Sequence, residues 1–121
     1  MIEDSLREVK SLVDEFWRCN WGLGSGKGNK TCLLGLVGYT FYGLDWSARY
    51  GALEAHPGTL LADVLAVLSE QVAAEDEDLE ALNPSDAIES IYLFNDRHFR
   101  VKVDVHNFLD RCLENVKPDA A

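Results

Sequence analysis

CLLGLVGYTFYGL, residues 32–44, is the stretch whose reading decides the fold. It is uncharged and, wound at 3.6 residues per turn, apolar on every side, so as a helix it has no face for water and belongs at the centre. With 13 residues it falls short of the roughly 20 that cross a bilayer. Thr31, just ahead, offers a side-chain oxygen at the N-cap position. Gly35 and Gly38 inside the run each cost about 1 kcal/mol of helix propensity relative to alanine, which predicts close approach of another backbone.

Upstream, Leu6, Val9, Leu12, Val13, Phe16 and Trp17 recur at the 3,4 spacing of an amphipathic helix. Ser5 followed by Glu8 is a capping-box signature at its start. Four glycines between Gly22 and Gly28 then interrupt regular structure.

Downstream, residues 44–58 form a connection closed by Pro57-Gly58. Thr59 caps a third helix with the stripe Leu60, Leu61, Val64, Leu65, Leu68 and Val72, whose acidic continuation, AAEDEDLEAL, frays. Asn83-Pro84 breaks the pattern, and Ser85 or Asp86 starts a short helix with Ile88, Ile91 and Tyr92 inward.

SIYLF, residues 90–94, reads equally as a buried strand, and FRVKVDV, residues 99–105, alternates, so a small β hairpin over 88–103 stays open. Asp104 caps a last helix that turns Val105, Phe108, Leu109, Cys112, Leu113 and Val116 inward and stops at Pro118. The expected class is all-α, four to five helices packed around 32–44 in a single domain over 1–121, with 117–121 a disordered tail. An α+β fold is the alternative.

Composition sets the compartment and the partners. The 47% apolar content supports one core. Cys19, Cys32 and Cys112 are odd in number and widely spaced, which reads as thiols in a reducing compartment. MIEDSLREVK lacks the basic start and apolar run of a signal peptide, so the expectation is a cytoplasmic, soluble protein without a membrane partner. Net charge is −10, and residues 52–96 hold eleven acids and no base. A field of that sign disfavours direct contact with nucleic acid or lipid phosphate and favours a basic protein surface.

Three pieces of chemistry compete with that reading. GSGKGNKT, residues 24–31, approaches G-x-x-x-x-G-K-[ST], with Gly24, Lys30 and Thr31 in register and Asn29 where the second glycine belongs. What precedes it is an amphipathic helix and not the strand a phosphate loop needs. What survives is an anion or nucleotide site in which Lys27, Lys30, Thr31 and free amides at the helix start hold a phosphate.

Cys32 at a helix N-terminus, with His98 as base and Asn95 or Asp96 to orient it, draws a cysteine-dependent hydrolase or transferase, against which stands a packing cysteine. His56, His98 and His106 lack the i, i+4 pairing of a zinc site, and Glu75 to Asp78 lack the order of a calcium loop, so neither metal nor other cofactor is expected. Trp46 and Tyr50 are candidate interface anchors beside the acidic residues Glu75, Asp76, Glu77, Asp78 and Glu80.

Four motifs in order, Trp21-Gly22, Cys32-x-x-Gly35, Ile91 to Phe94-Asn95-Asp96, and Asn107 to Cys112, span nearly the whole chain. Together they resemble a family of small domains of unknown function from actinobacteria and their bacteriophages, in which Phe94 is usually tryptophan. The resemblance implies a fold and a host range and brings no catalytic residue. The expectation is a small acidic interaction protein, non-enzymatic and phage-encoded, that binds a basic surface of a host protein in the host cytoplasm.

Overall fold

A computed structural model describes residues 1–18, 29–46, 53, 56–80 and 84–116. Six α-helices and one 3-10 turn carry these residues: α1 (Ile2–Ser11), α2 (Val13–Phe16), α3 (Leu33–Tyr42), α4 (Leu60–Glu75), the 3-10 turn (Glu77–Leu79), α5 (Pro84–His98) and α6 (Lys102–Val116). The fold is all-α, and among the described residues the one extended pairing is a parallel bridge between Trp17 and Thr31.

α3 lies inside the molecule, as its unbroken apolar sequence demands. Every residue from Leu33 to Tyr39 is buried. It packs against α1, α2 and α5, while α4 packs on α5 and α6, and α6 on α1. One continuous core joins it to Leu6 and Val9 of α1, Val64, Leu65 and Leu68 of α4, Ile91 and Phe94 of α5, and Phe108 and Leu109 of α6. Burial of these apolar surfaces, at about 25 cal/mol per Å², is the main favourable term for the fold.

Several local expectations change. Ser5 is not a cap: α1 begins at Ile2 with Met1 as N-cap, and Ser5 is buried a turn inside. The first helix is also interrupted, because Leu12 takes a turn conformation between α1 and the single turn α2. The N-cap of α3 is Cys32 rather than Thr31. Thr59 does cap α4, its hydroxyl oxygen accepting from the Ala62 N–H at 3.2 Å.

Gly35 and Gly38 admit side chains, not a second backbone. A Cβ on Gly35 would stand 1.8 Å from Thr31 Oγ1, and one on Gly38 would stand 2.2 Å from the Trp46 ring. The hairpin left open over 88–103 is helix through His98, and the next helix has already begun at Lys102. Val101 and Val103 alternate with Phe99 in sequence but are exposed, while Phe99 is buried. Asp104 lies in the first turn of α6 and reaches back to accept from the N–H groups of Arg100 (2.9 Å) and Val101 (3.2 Å). That is the backward half of a capping box.

Tyr92 faces water, 42% exposed, against the inward expectation. The inward stripe of α5 is Ala87, Ile91, Phe94 and Asn95, and a residue one past Ile91 is turned about 100° from it. Trp21, Gly22, Lys27, Cys19, Tyr50 and the tail 117–121 lie outside the described residues.

Candidate functional site

The start of α3 is where sequence placed both a nucleophile and a phosphate site, and there the structure buries Cys32 and Thr31. Phe16 C=O accepts from the Thr31 N–H at 2.7 Å, and Thr31 C=O accepts from the Arg18 N–H at 2.9 Å, which pins the end of α2 beside the entry to α3. Asn95, delivered by α5 and 0% exposed, completes the junction. Its Oδ1 accepts from Trp17 Nε1 at 2.9 Å and from the Leu33 N–H at 3.1 Å. One carboxamide oxygen thus serves both an indole and an otherwise uncapped helix N-terminus.

Cys32 is 3% exposed. Burial pushes its thiol above the ordinary value, and although the amides of Gly35 and Leu34 and the Thr31 side chain pull the other way, burial dominates. The lowering expected from a helix N-terminus is overridden, because a thiolate here would be cut off from water. His98 Nε2 bonds Asp76 Oδ2 at 2.9 Å, and its ring lies over Phe94 with centroids 4.3 Å apart. Asp96 bears on Cys32 only as a nearby like charge that raises its pKa further.

The amides proposed for an anion are engaged. Leu33 N–H goes to Asn95 and Thr31 N–H to Phe16. Lys30 is exposed beside this entry, Thr31 is fully buried, and Lys27 lies outside the described residues.

Trp46 is half-buried against the core, with its ring over Gly38, edge-on to Tyr39 at 6.4 Å and stacked with Tyr42 at 6.3 Å. It anchors the chain after α3 to α3 itself.

The acidic run divides in two. Glu75 receives Arg111 through Nε at 2.8 Å and Nη2 at 2.7 Å, and Gln71 at 2.6 Å. Asp76 receives His98 and Arg97, the latter at 3.4 Å, and the Asp78 N–H at 3.1 Å. His98 first, then these other donors, hold its carboxyl below the ordinary value. Both acids join α4 to α5 and α6. Glu77, Asp78 and Glu80 stay exposed.

A cleft of about 190 Å³ opens beside these pairs, lined by Glu75, Phe94, His98, Phe99, Asp104, Asn107 and Arg111. The imidazole of His98 is oriented by Asp76 as a base would be, yet no hydroxyl or thiol is among the lining residues. No group of three or more His, Cys, Asp or Glu side chains is placed to hold a metal among the described residues.

The outer face of α5 was missed in the sequence. Glu89, Tyr92 and Asp96 follow the 3,4 spacing and therefore share a face, with Glu89 and Tyr92 exposed and Asp96 half-buried. Ile88 and Leu93 lie partly buried beside them. The signal was present in the spacing: an aromatic offset from the apolar stripe, with a carboxylate one turn to each side.

Among the described residues, no helix is long and apolar enough to cross a membrane. Comparison of the chain with protein-family models, with curated proteins and with solved structures gives no match.

Proposed function

We propose that this chain is a non-enzymatic acidic interaction protein that engages a basic surface on another protein through the outer face of α5. The observation that carries the reading is Tyr92, 42% exposed and flanked on its own helical face by Glu89 and Asp96. Tyrosine gives large contact area at small entropic cost, and interface energy concentrates on such anchors. Carboxylates on both sides select a basic partner and speed its approach.

The charge pattern supports the same direction. The bases that pair with the acidic segment at Glu75 and Asp76 come from outside it, from Arg97, His98 and Arg111. Glu70, Glu77, Asp78, Glu80 and Glu89 remain on exposed positions. On the resemblance to actinobacterial and phage domains, the chain would be phage-encoded, and its partner a host protein in the host cytoplasm.

The alternative of a Cys32 enzyme has against it a buried thiol whose pKa burial raises. Capture from an actinobacterial lysate at graded salt tests the main reading. The expected result is a basic protein retained at low salt, released as salt rises, and not retained by Glu89→Lys. Absence of any salt-sensitive partner contradicts it.

A further inference from the structure

On the outer side of α5 an exposed ring and an exposed carboxylate stand one turn apart. Tyr92 is 42% exposed, and Glu89, three positions before it, is exposed as well. That spacing sets their Cβ atoms about 5–6 Å apart. The neighbours of Glu89 within one helical turn on its face, Ser85, Asp86, Tyr92 and Leu93, include no base. Neither the Glu89 nor the Tyr92 side chain makes an ion pair or hydrogen bond with another described residue.

The other end of the face is already engaged. Asn95 Nδ2 donates to Asp96 Oδ1 at 3.4 Å, and Arg100 Nη1 donates to the Asp96 C=O at 2.8 Å, which sets a positive charge of this chain beside Asp96. Arg97, the next base along α5 from Tyr92, is paired with Asp76 at 3.4 Å. The uncompensated charge of the face therefore lies at Glu89.

Elsewhere on the chain, a ring and a carboxylate share one cation. Arg111 lies 5.9 Å from the centroid of the Phe108 ring, while its Nε and Nη2 donate to Glu75 at 2.8 and 2.7 Å. A flat guanidinium can lie on a ring and present its N–H fork to a carboxylate at the same time; an ammonium is a compact, strongly hydrated point charge without that fork.

We infer that the face between Glu89 and Tyr92 receives an arginine side chain of the basic partner, its guanidinium stacked on the Tyr92 ring and paired with the Glu89 carboxylate. This rests on the α5 reading and names the side chain that the face takes.

The test is NMR titration of the full chain, 15N-labelled, with hexa-arginine and with hexalysine at one salt concentration. Saturable movement of the Glu89 and Tyr92 amide signals is expected, with hexa-arginine binding about two- to fivefold tighter than hexalysine. Tyr92→Phe should keep that preference and Tyr92→Leu should remove it. Glu89→Gln should weaken both peptides by about two- to fivefold. All three substitutions fall on exposed positions. A preference for arginine that survives Tyr92→Leu overturns the inference. Equal affinity of the two peptides, with both weakened by Glu89→Gln, overturns the arginine and leaves the α5 reading standing. No binding, or signals that move only away from α5, overturns both.

Discussion

Asn95 holds together three parts of the chain with a single oxygen. Trp17 Nε1 and the Leu33 N–H both end on its Oδ1 in a site without water access. Removing the acceptor leaves two buried donors unsatisfied, at about 1–3 kcal/mol each. Asn95→Ala should therefore lose about 2–6 kcal/mol in urea unfolding, with retention of helical circular dichroism at low urea. A loss within about 0.5 kcal/mol, typical of surface changes, would show that the junction does not depend on it.

Cys32, beside it, gives a second residue-level test. Because burial raises its pKa, iodoacetamide should label it slowly at pH 8, and mild urea should speed labelling as the site opens. Fast labelling with a midpoint well below about 8.5, the free-cysteine value, would restore the activated nucleophile. No local pattern foretold Asn95 as the cap of α3, since donor and acceptor lie 62 positions apart. The sequence showed an Asn-Asp pair of the kind that satisfies backbone groups, but not which helix it would serve.

At the scale of elements, periodicity located α3, α4 and α6 because each carries its own apolar pattern and, for α4, its own cap in Thr59. It left α5 ambiguous, because SIYLF is too short a run to separate helix from strand. The tie is broken by tertiary packing: α5 packs on α3 and α4, and Ile91, Phe94 and Asn95 are buried at helical spacing. The glycines show the same limit: their need for space was legible, but not that Trp46 and Thr31 would fill it.

Element ends also set the pH response. The backbone N–H groups of Arg100 and then Val101 hold the Asp104 carboxyl below its ordinary 3.8, and His106 first and Lys102 later do the same for Asp14. With a lower pKa in the folded state, the unfolded chain binds more protons between the two values. These groups thus contribute stability above pH 3.8, lost as pH falls through their folded values. Urea midpoints should drop from pH 5 to pH 2.5, and Asp104→Asn should drop less. An equal drop in both would remove Asp104 from the acid response.

For the whole molecule, the charge imbalance of residues 52–96 was readable from composition, but its distribution was not. Folding brings Arg111 to Glu75 across 36 positions and His98 to Asp76 across 22. Part of the acidic segment therefore holds the helices together, which is why the proposed interaction face is the outer side of α5. Trp46 is half-buried for a related reason: packing beside Gly38 gives its ring a place against the core.

In the proposed function the Glu89–Tyr92–Asp96 face binds a basic partner. Its most direct test is titration of the captured protein against the parent chain and against Tyr92→Ala and Glu89→Lys, each at two salt concentrations. Expected are at least about tenfold weaker binding for Tyr92→Ala, and for Glu89→Lys slower association with a flatter salt dependence. Affinities and salt dependences equal to the parent in both variants would contradict it.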